Sequence, residues 1–152
     1  MSVEIRTTSP DETLALGRRF AALLTAGDIV VLAGRLGSGK TLFASGVASG
    51  LGIREQITSP TFLIEKVYRD GFLPLIHADM YRLSSIGEFE DLELADEGRD
   101  GAVLIEWGDT IEDSLPADRL VIRFDIDGDG DERVISFTPH GTWADRDLEV
   151  LV

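Results

Sequence analysis

The fold predicted for this sequence is a single-domain α/β sandwich, with a mixed, mostly parallel central sheet and flanking helices. Three observations predict it. Apolar runs within Asp28–Ala33 and Ala102–Trp107 have the length and continuity of strands buried on both faces. Helix-compatible segments alternate with such strands, the order that builds layered α/β packing. Late in the chain, two β-rich segments face each other across a short acidic tip, which adds an antiparallel hairpin to the sheet. The 152 residues are read as one domain, 1–152. A domain near this size buries roughly 68–70% of its unfolded surface, enough for a core without cross-links. The sequence has no cysteine, which excludes disulfides and thiol chemistry.

The elements follow in order. Met1–Thr8 reads as a short edge strand. Ser9-Pro10-Asp11-Glu12 is a capping box, with Ser at N-cap, Pro at N1 and Glu at N3. Leu16, Phe20, Leu23 and Leu24 then recur at helical spacing up to Gly27, a natural residue just past a helix end. Asp28–Ala33 is a buried strand, and Thr41–Gly50 a helix with Phe43, Val47 and Leu51 on one stripe. Thr61–Tyr68 and Leu73–His77 are strands around a turn at Asp70-Gly71, and Glu88–Glu97 is an acidic helix. Ala102–Trp107 is the second fully buried strand. Arg119–Phe124 and Arg133–Thr138 form a hairpin across the tip Asp125–Glu132, and Trp143–Leu151 is a closing helix.

Charge is unevenly spread. Residues 1–70 carry 7 acidic and 8 basic side chains and residues 71–152 carry 21 and 6, which together make the net charge of −14. An acidic half of this size repels a phosphate backbone and argues against direct, stable nucleic-acid binding. It serves solubility, or a docking face for a basic partner surface. No basic-then-apolar leader opens the chain, and the longest uncharged stretch, Thr41–Ile53, is broken by glycines. Neither secretion nor a membrane span is expected, in keeping with a cytoplasmic protein.

The strongest motif lies between the first buried strand and the helix after it. Gly34-Arg35-Leu36-Gly37-Ser38-Gly39-Lys40-Thr41 matches G-x-x-x-x-G-K-[ST], the phosphate-binding loop, in the strand–loop–helix setting it requires. Glycines let the backbone turn tightly enough to aim successive N–H groups at phosphate oxygens. The helix adds the positive end of its dipole. Lys40 reaches the β and γ phosphates, and the Thr41 hydroxyl is placed to ligate Mg²⁺. A nucleoside triphosphate or diphosphate is therefore the expected ligand.

Two segments compete to supply the acidic partner of the metal. One is Leu73–Asp79. The other is Ala102–Glu106, an unbroken apolar strand ending in a carboxylate, at the end where loops converge on ligands in such sheets. Strand length and purity favour Glu106 for the metal. Asp79 is then free to orient the attacking water or hold a metal-bound water. Ser59-Pro60-Thr61-Phe62 lies about twenty residues past Thr41, where Ser59 and Thr61 offer hydroxyls for a segment that senses the γ-phosphate. Guanine-reading proteins carry a lysine within an Asn/Thr-Lys-x-Asp signature. The only lysines are Lys40 and Lys66, and neither lies in one, so ATP is the expected nucleotide.

Other patterns carry less. Asp125–Asp131 resembles the opening of a calcium-binding loop, but its twelfth position is Ser136 and strands flank it. Asp127–Gly130 spells D-x-x-G inside a hairpin. His77 and His140 are far apart and have no ligand-spaced partner, which argues against zinc. No G-x-S-x-G elbow is present.

Taken together, G-x-L-G-S-G-K-T at Gly34–Thr41, S-P-T-F at Ser59–Phe62, H-x-D-x-Y-R-L at His77–Leu83 and I-E-W at Ile105–Trp107 resemble the TsaE (YjeE) family. These are small bacterial phosphate-loop ATPases of tRNA threonylcarbamoyladenosine synthesis. Order, spacing and length agree over nearly the whole chain. The resemblance implies ATP binding and slow hydrolysis that drive a cycle on the TsaD–TsaB complex, which threonylcarbamoylates an adenosine beside the tRNA anticodon. It implies Thr41 and Glu106 as Mg²⁺ ligands, Gly37, Ser38, Gly39, Lys40, Thr41 and Leu42 as the phosphate cradle, and Asp79 in support of hydrolysis. Pro10, Gly130 and Arg133 would flank the nucleotide, and Trp107 would sit beside the site. The acidic hairpin tip departs most from the family pattern. The free protein is expected to be a monomer or weakly self-associating. The competing reading is a stand-alone small phosphotransferase, a kinase. It needs an acceptor site and a basic lid over the phosphates, whereas the half after Gly71 has six arginines scattered among acids.

Overall fold

The structure is a computed structural model that describes residues 2–35, 37–57, 65–79, 100–107 and 116–152. The expected helix at Glu88–Glu97 and the first residues of the expected strand from Thr61 lie outside the described residues.

The described chain forms β1 (Val3–Thr7), α1 (Pro10–Ala21), β2 (Ile29–Ala33), α2 (Lys40–Gly50), β3 (Glu65–Tyr68), β4 (Leu75–Asp79), β5 (Ala102–Trp107), β6 (Arg119–Ile126) and β7 (Arg133–His140). One seven-stranded sheet runs in the order β1-β7-β6-β2-β5-β4-β3. β2 pairs in parallel with β5 and β6, and β4 in parallel with β5. β7 opposes both β1 and β6, and β3 opposes β4. The sheet is therefore mixed and mostly parallel, as predicted, with only β7 and β3 running against the rest. β1 occupies an edge, also as predicted.

Both helices cover one face. Leu16 and Phe20 of α1 and Phe43 and Val47 of α2 share a core with Leu32, Leu104, Ile122 and Phe137, alternate residues of the strands. Phe43 meets Phe20 at 5.7 Å and Phe124 at 5.4 Å between ring centroids, inside the range of favourable aromatic pairs. The intervening residues Val31, Ala33, Ile76, Val103, Ile105 and Val121 form a second buried cluster on the opposite face. Burial on both faces explains why β2 and β5 read as unbroken apolar runs.

α1 and α2 touch backbone to backbone. A Cβ on Gly17 would lie 2.4 Å from the Phe43 carbonyl oxygen, and one on Gly46 only 2.2 Å from that of Leu14. Gly50 is similarly pressed against Arg18. Three glycines, weak helix formers on propensity alone, are here because only hydrogen fits between the helices.

The capping box forms with a shift. Ser9 Oγ accepts from the Glu12 N–H at 3.2 Å, but Glu12 reaches back to the N–H and hydroxyl of Thr8, each at 2.9 Å. α1 ends at Ala21, short of the expected Gly27. That glycine, at φ 91°, instead turns the chain into β2 and donates its N–H to the Gly101 carbonyl at 2.8 Å. The closing helix is also corrected: Trp143–Leu151 is not one helix. Gly141–Asp145 and Leu148–Leu151 are two 3₁₀ turns separated by extended backbone at Arg146. Arg146 leaves the helical path to make a double hydrogen bond with buried Asp28 (2.6 and 2.7 Å) while its guanidinium stacks 3.8 Å above Trp143. The hairpin strands outrun their expected ends, so the tip shrinks to Asp127–Glu132, closed by Asp127 N–H to Glu132 O at 3.0 Å. Among the described residues no helix is long and apolar enough to cross a membrane.

Candidate nucleotide site

The site lies at the carboxyl ends of β2, β5 and β4, where α2 begins. β2 delivers the chain to Gly34, whose φ of 149° and close packing exclude a side chain: a Cβ there would lie 2.7 Å from the Phe124 carbonyl oxygen. The loop closes on Gly39, the N-cap of α2, held at φ 109° with no side-chain cap. The first N–H groups of a helix have no partner within it. With no side chain supplied here, those of α2 face a ligand position, and the dipole favours an anion there.

A cavity of about 320 Å³ opens over that helix end, walled by Gly37, Gly39, Lys40, Thr41, Leu42, Glu106 and Arg133. Lys40 is only 4% exposed, and its ammonium donates to the carbonyl of Gly34 and, at 3.4 Å, to that of Arg35. The Thr41 hydroxyl stands 3.2 Å from both carboxylate oxygens of Glu106, to which it donates. Glu106 is 5% exposed and also receives a hydrogen bond from Nε2 of His77, which is fully buried on the neighbouring strand. In register, Asp79, the last residue of β4, lies opposite Glu106, the penultimate residue of the parallel strand β5. Trp107 follows as the last residue of β5.

Arg133, the first residue of β7, ties the loop to the hairpin. Its Nε donates to Ser38 O at 3.0 Å and its Nη2 to Gly37 O at 3.4 Å, while Nη1 reaches Gly130 O at 2.8 Å. Gly130 thus touches the site through Arg133 and is not part of the cavity wall; neither are Pro10 and Ser38. Pro10 opens α1, whose first turn approaches the loop through Thr13: its methyl would lie 3.8 Å from a Cβ on Gly39. Ser59 and Thr61 lie outside the described residues.

A divalent cation suits these donors. Thr41 and Glu106 offer a hydroxyl and a carboxylate within 3.2 Å of each other, hard oxygen ligands of the kind Mg²⁺ takes one or two at a time beside phosphate and water. Among the described residues there is no cluster of three or more His, Cys, Asp or Glu side chains that would hold a metal unaided. Sequence reasoning missed the contact between His77 and Glu106. The signal was its place on the strand: His77 lies opposite Leu104 on β5, two residues before Glu106, and so shares the face that Glu106 takes.

The sequence model of the family described as "Threonylcarbamoyl adenosine biosynthesis protein TsaE" matches residues 7–135, which include every wall of this cavity. The chain belongs to the TsaE family. The TsaE protein of Bacillus subtilis (strain 168) is 48% identical over 138 residues, covering 90% of this chain and 85% of that one. The TsaE protein of Streptomyces coelicolor is 45% identical over 144 residues, covering 90% and 97%. Both are named tRNA threonylcarbamoyladenosine biosynthesis proteins. The crystal structure of YdiB from Bacillus subtilis superposes with a TM-score of 0.79 at 40% identity, covering 99% of this chain and 91% of the other. The TsaE likeness therefore spans sheet, helices and phosphate loop together.

Proposed function

We propose that this chain is an ATP-binding protein of tRNA threonylcarbamoyladenosine biosynthesis, with slow Mg²⁺-dependent ATPase activity exerted on a TsaD–TsaB complex. The observation that supports it most is the Thr41–Glu106 pair, 3.2 Å apart in a cavity beside Lys40 and the uncapped end of α2. In this reading the N–H groups from Gly37 to Leu42 cradle the phosphates, and Lys40 leaves the loop carbonyls for the β and γ oxygens. Thr41 and Glu106 would hold Mg²⁺, which when bound neutralises charge on the β and γ phosphates. Asp79 orients water toward the γ-phosphorus, and the P–O bond to ADP breaks as the water oxygen bonds, its protons leaving with the released phosphate. Pro10, Gly130 and Arg133 flank the rest of the nucleotide, and Ser59 and Thr61 report the γ-phosphate. A protein of net charge −14 meets tRNA through its partner and not by gripping it.

The kinase reading needs a basic lid. Among the described residues after Gly71, Arg146 is held by buried Asp28 and Arg133 is the one arginine in the cavity wall, a single cation and not a basic cluster. ATP turnover measured with and without purified TsaD–TsaB tests the proposal: stimulation by the complex is the expected result. ATP-dependent phosphorylation of a small acceptor with no effect of the complex would favour the kinase.

Glu106→Gln is expected to remove the Mg²⁺ dependence of ATP binding more than Asp79→Asn does, because Glu106 shares the Thr41 hydroxyl. Mg²⁺ titrations of both variants check the ranking, and the reverse order would exchange the two roles.

A further inference from the structure

We propose that His77 is a positioning residue for the metal ligand, holding the Glu106 carboxylate from behind so that its free lone pairs face the cavity. The inference rests on the reading of Glu106 as a Mg²⁺ ligand and extends it to a side chain with no assigned part.

His77 is fully buried on β4 and is not among the cavity walls, whereas Glu106 is. The carboxylate therefore stands between the ring and the ligand position. Nε2 faces a carboxylate oxygen that can only accept, so that nitrogen carries the hydrogen. Among the described residues, the other ring nitrogen, Nδ1, is buried without a hydrogen-bond partner. A histidine kept for packing or for its own polar satisfaction would have both nitrogens answered. This one is satisfied only toward Glu106. The contact directs one carboxylate oxygen, and the Thr41 hydroxyl braces the group from α2. A ionised carboxylate has about four acceptor sites. Two are used by these donors, and the rest remain for a cation. Partners behind metal-ligating groups fix their orientation, and losing one typically costs 10–100-fold in metal affinity.

Three substitutions separate positioning from bulk. His77→Leu removes the donor and keeps an apolar core volume. His77→Gln carries an amide N–H at the distance of Nε2, while His77→Asn places its amide at the level of Nδ1, short of Glu106. The measurement is calorimetric Mg²⁺ titration of each protein saturated with a non-hydrolysable ATP analogue, with the wild type and Glu106→Gln alongside. His77→Leu and His77→Asn are expected to need about 10–100-fold more Mg²⁺, and His77→Gln to return to within a few-fold of wild type. Wild-type Mg²⁺ affinity in His77→Leu or in His77→Asn would overturn the proposal. So would equal loss in the Gln and Asn variants, which also decide the matter if the Leu variant does not fold. A wild-type protein that binds no Mg²⁺ beside the analogue would overturn the metal reading itself, a result distinct from the others.

Discussion

Lys40→Ala is expected to abolish ATP hydrolysis and to weaken ATP binding about 10- to 150-fold, while the protein stays folded. A hydrogen bond to a charged group contributes roughly 1.5–3 kcal/mol net, which sets that range. Lys40 is pre-placed for the exchange: it is buried at the loop with its ammonium on the carbonyls of Gly34 and Arg35, so binding swaps one set of acceptors for phosphate oxygens. Because the ammonium is buried, its attraction for the phosphates is screened less than a surface lysine's. The fold bears a cost as well. Losing the contact to Gly34, also a hydrogen bond from a charged group, removes about 1.5–3 kcal/mol, a fall of about 3–12 °C in Tm for a domain near this size. Calorimetry with ATP and a thermal melt on the same preparation separate the two effects. Unchanged ATP affinity would refute the cradle assignment.

Gly46→Ala is expected to lower Tm by up to roughly 9 °C once the propensity gain is subtracted, against the direction that helix propensity alone dictates. Alanine is favoured over glycine within a helix by about 0.8–1 kcal/mol. At this position the added methyl would sit 2.2 Å from the Leu14 carbonyl oxygen and 3.1 Å from the Gly17 Cα, both backbone atoms that cannot rotate away. The helices must part, and overpacking of this kind costs about 1–3 kcal/mol. Parting them also shifts α2 relative to α1, so ATP affinity should fall along with Tm. A stabilised Gly46→Ala protein would mean that the helices separate freely.

What was legible in the sequence was what local chemistry dictates. Ser9, Pro10 and Glu12 announce a helix start whatever surrounds them, and the glycines of the phosphate loop have few other uses. β2 and β5 were visible because burial on both faces leaves no polar alternation to misread. The failures came where distant residues decide. Arg146 leaves the helical path because Asp28, far away in sequence, offers two carboxylate oxygens and Trp143 a face to stack on, so an expected helix becomes two 3₁₀ turns. Gly27 looked like a helix end and instead serves the junction with Gly101. Within the site, Lys40, Thr41 and Glu106 were found by motif and Arg133 through the family resemblance alone, and all four come together around one cavity. His77 was read only as half of a motif, because its partner lies on another strand and only the parallel register brings the two together.

The strand order has a consequence for how the protein is made. β2, which carries the phosphate loop, lies in the middle of the sheet, yet both of its neighbours, β5 and β6, come much later in the chain. At translation rates of 5–20 residues per second, roughly 5–20 s separate the end of β2 from the end of β6. Until β5 is complete at Trp107 the nascent chain holds an apolar strand with neither edge paired, one edge stays open until β6 follows, and parallel pairings of this range are slow to form. The loop's last ties arrive later still, with Arg133 on Gly37 and Ser38. A ribosome that stops before β7 therefore releases no weakened version of the site. It releases a chain with an open strand and no hairpin to brace the loop, the kind of species that chaperones retain and proteases clear.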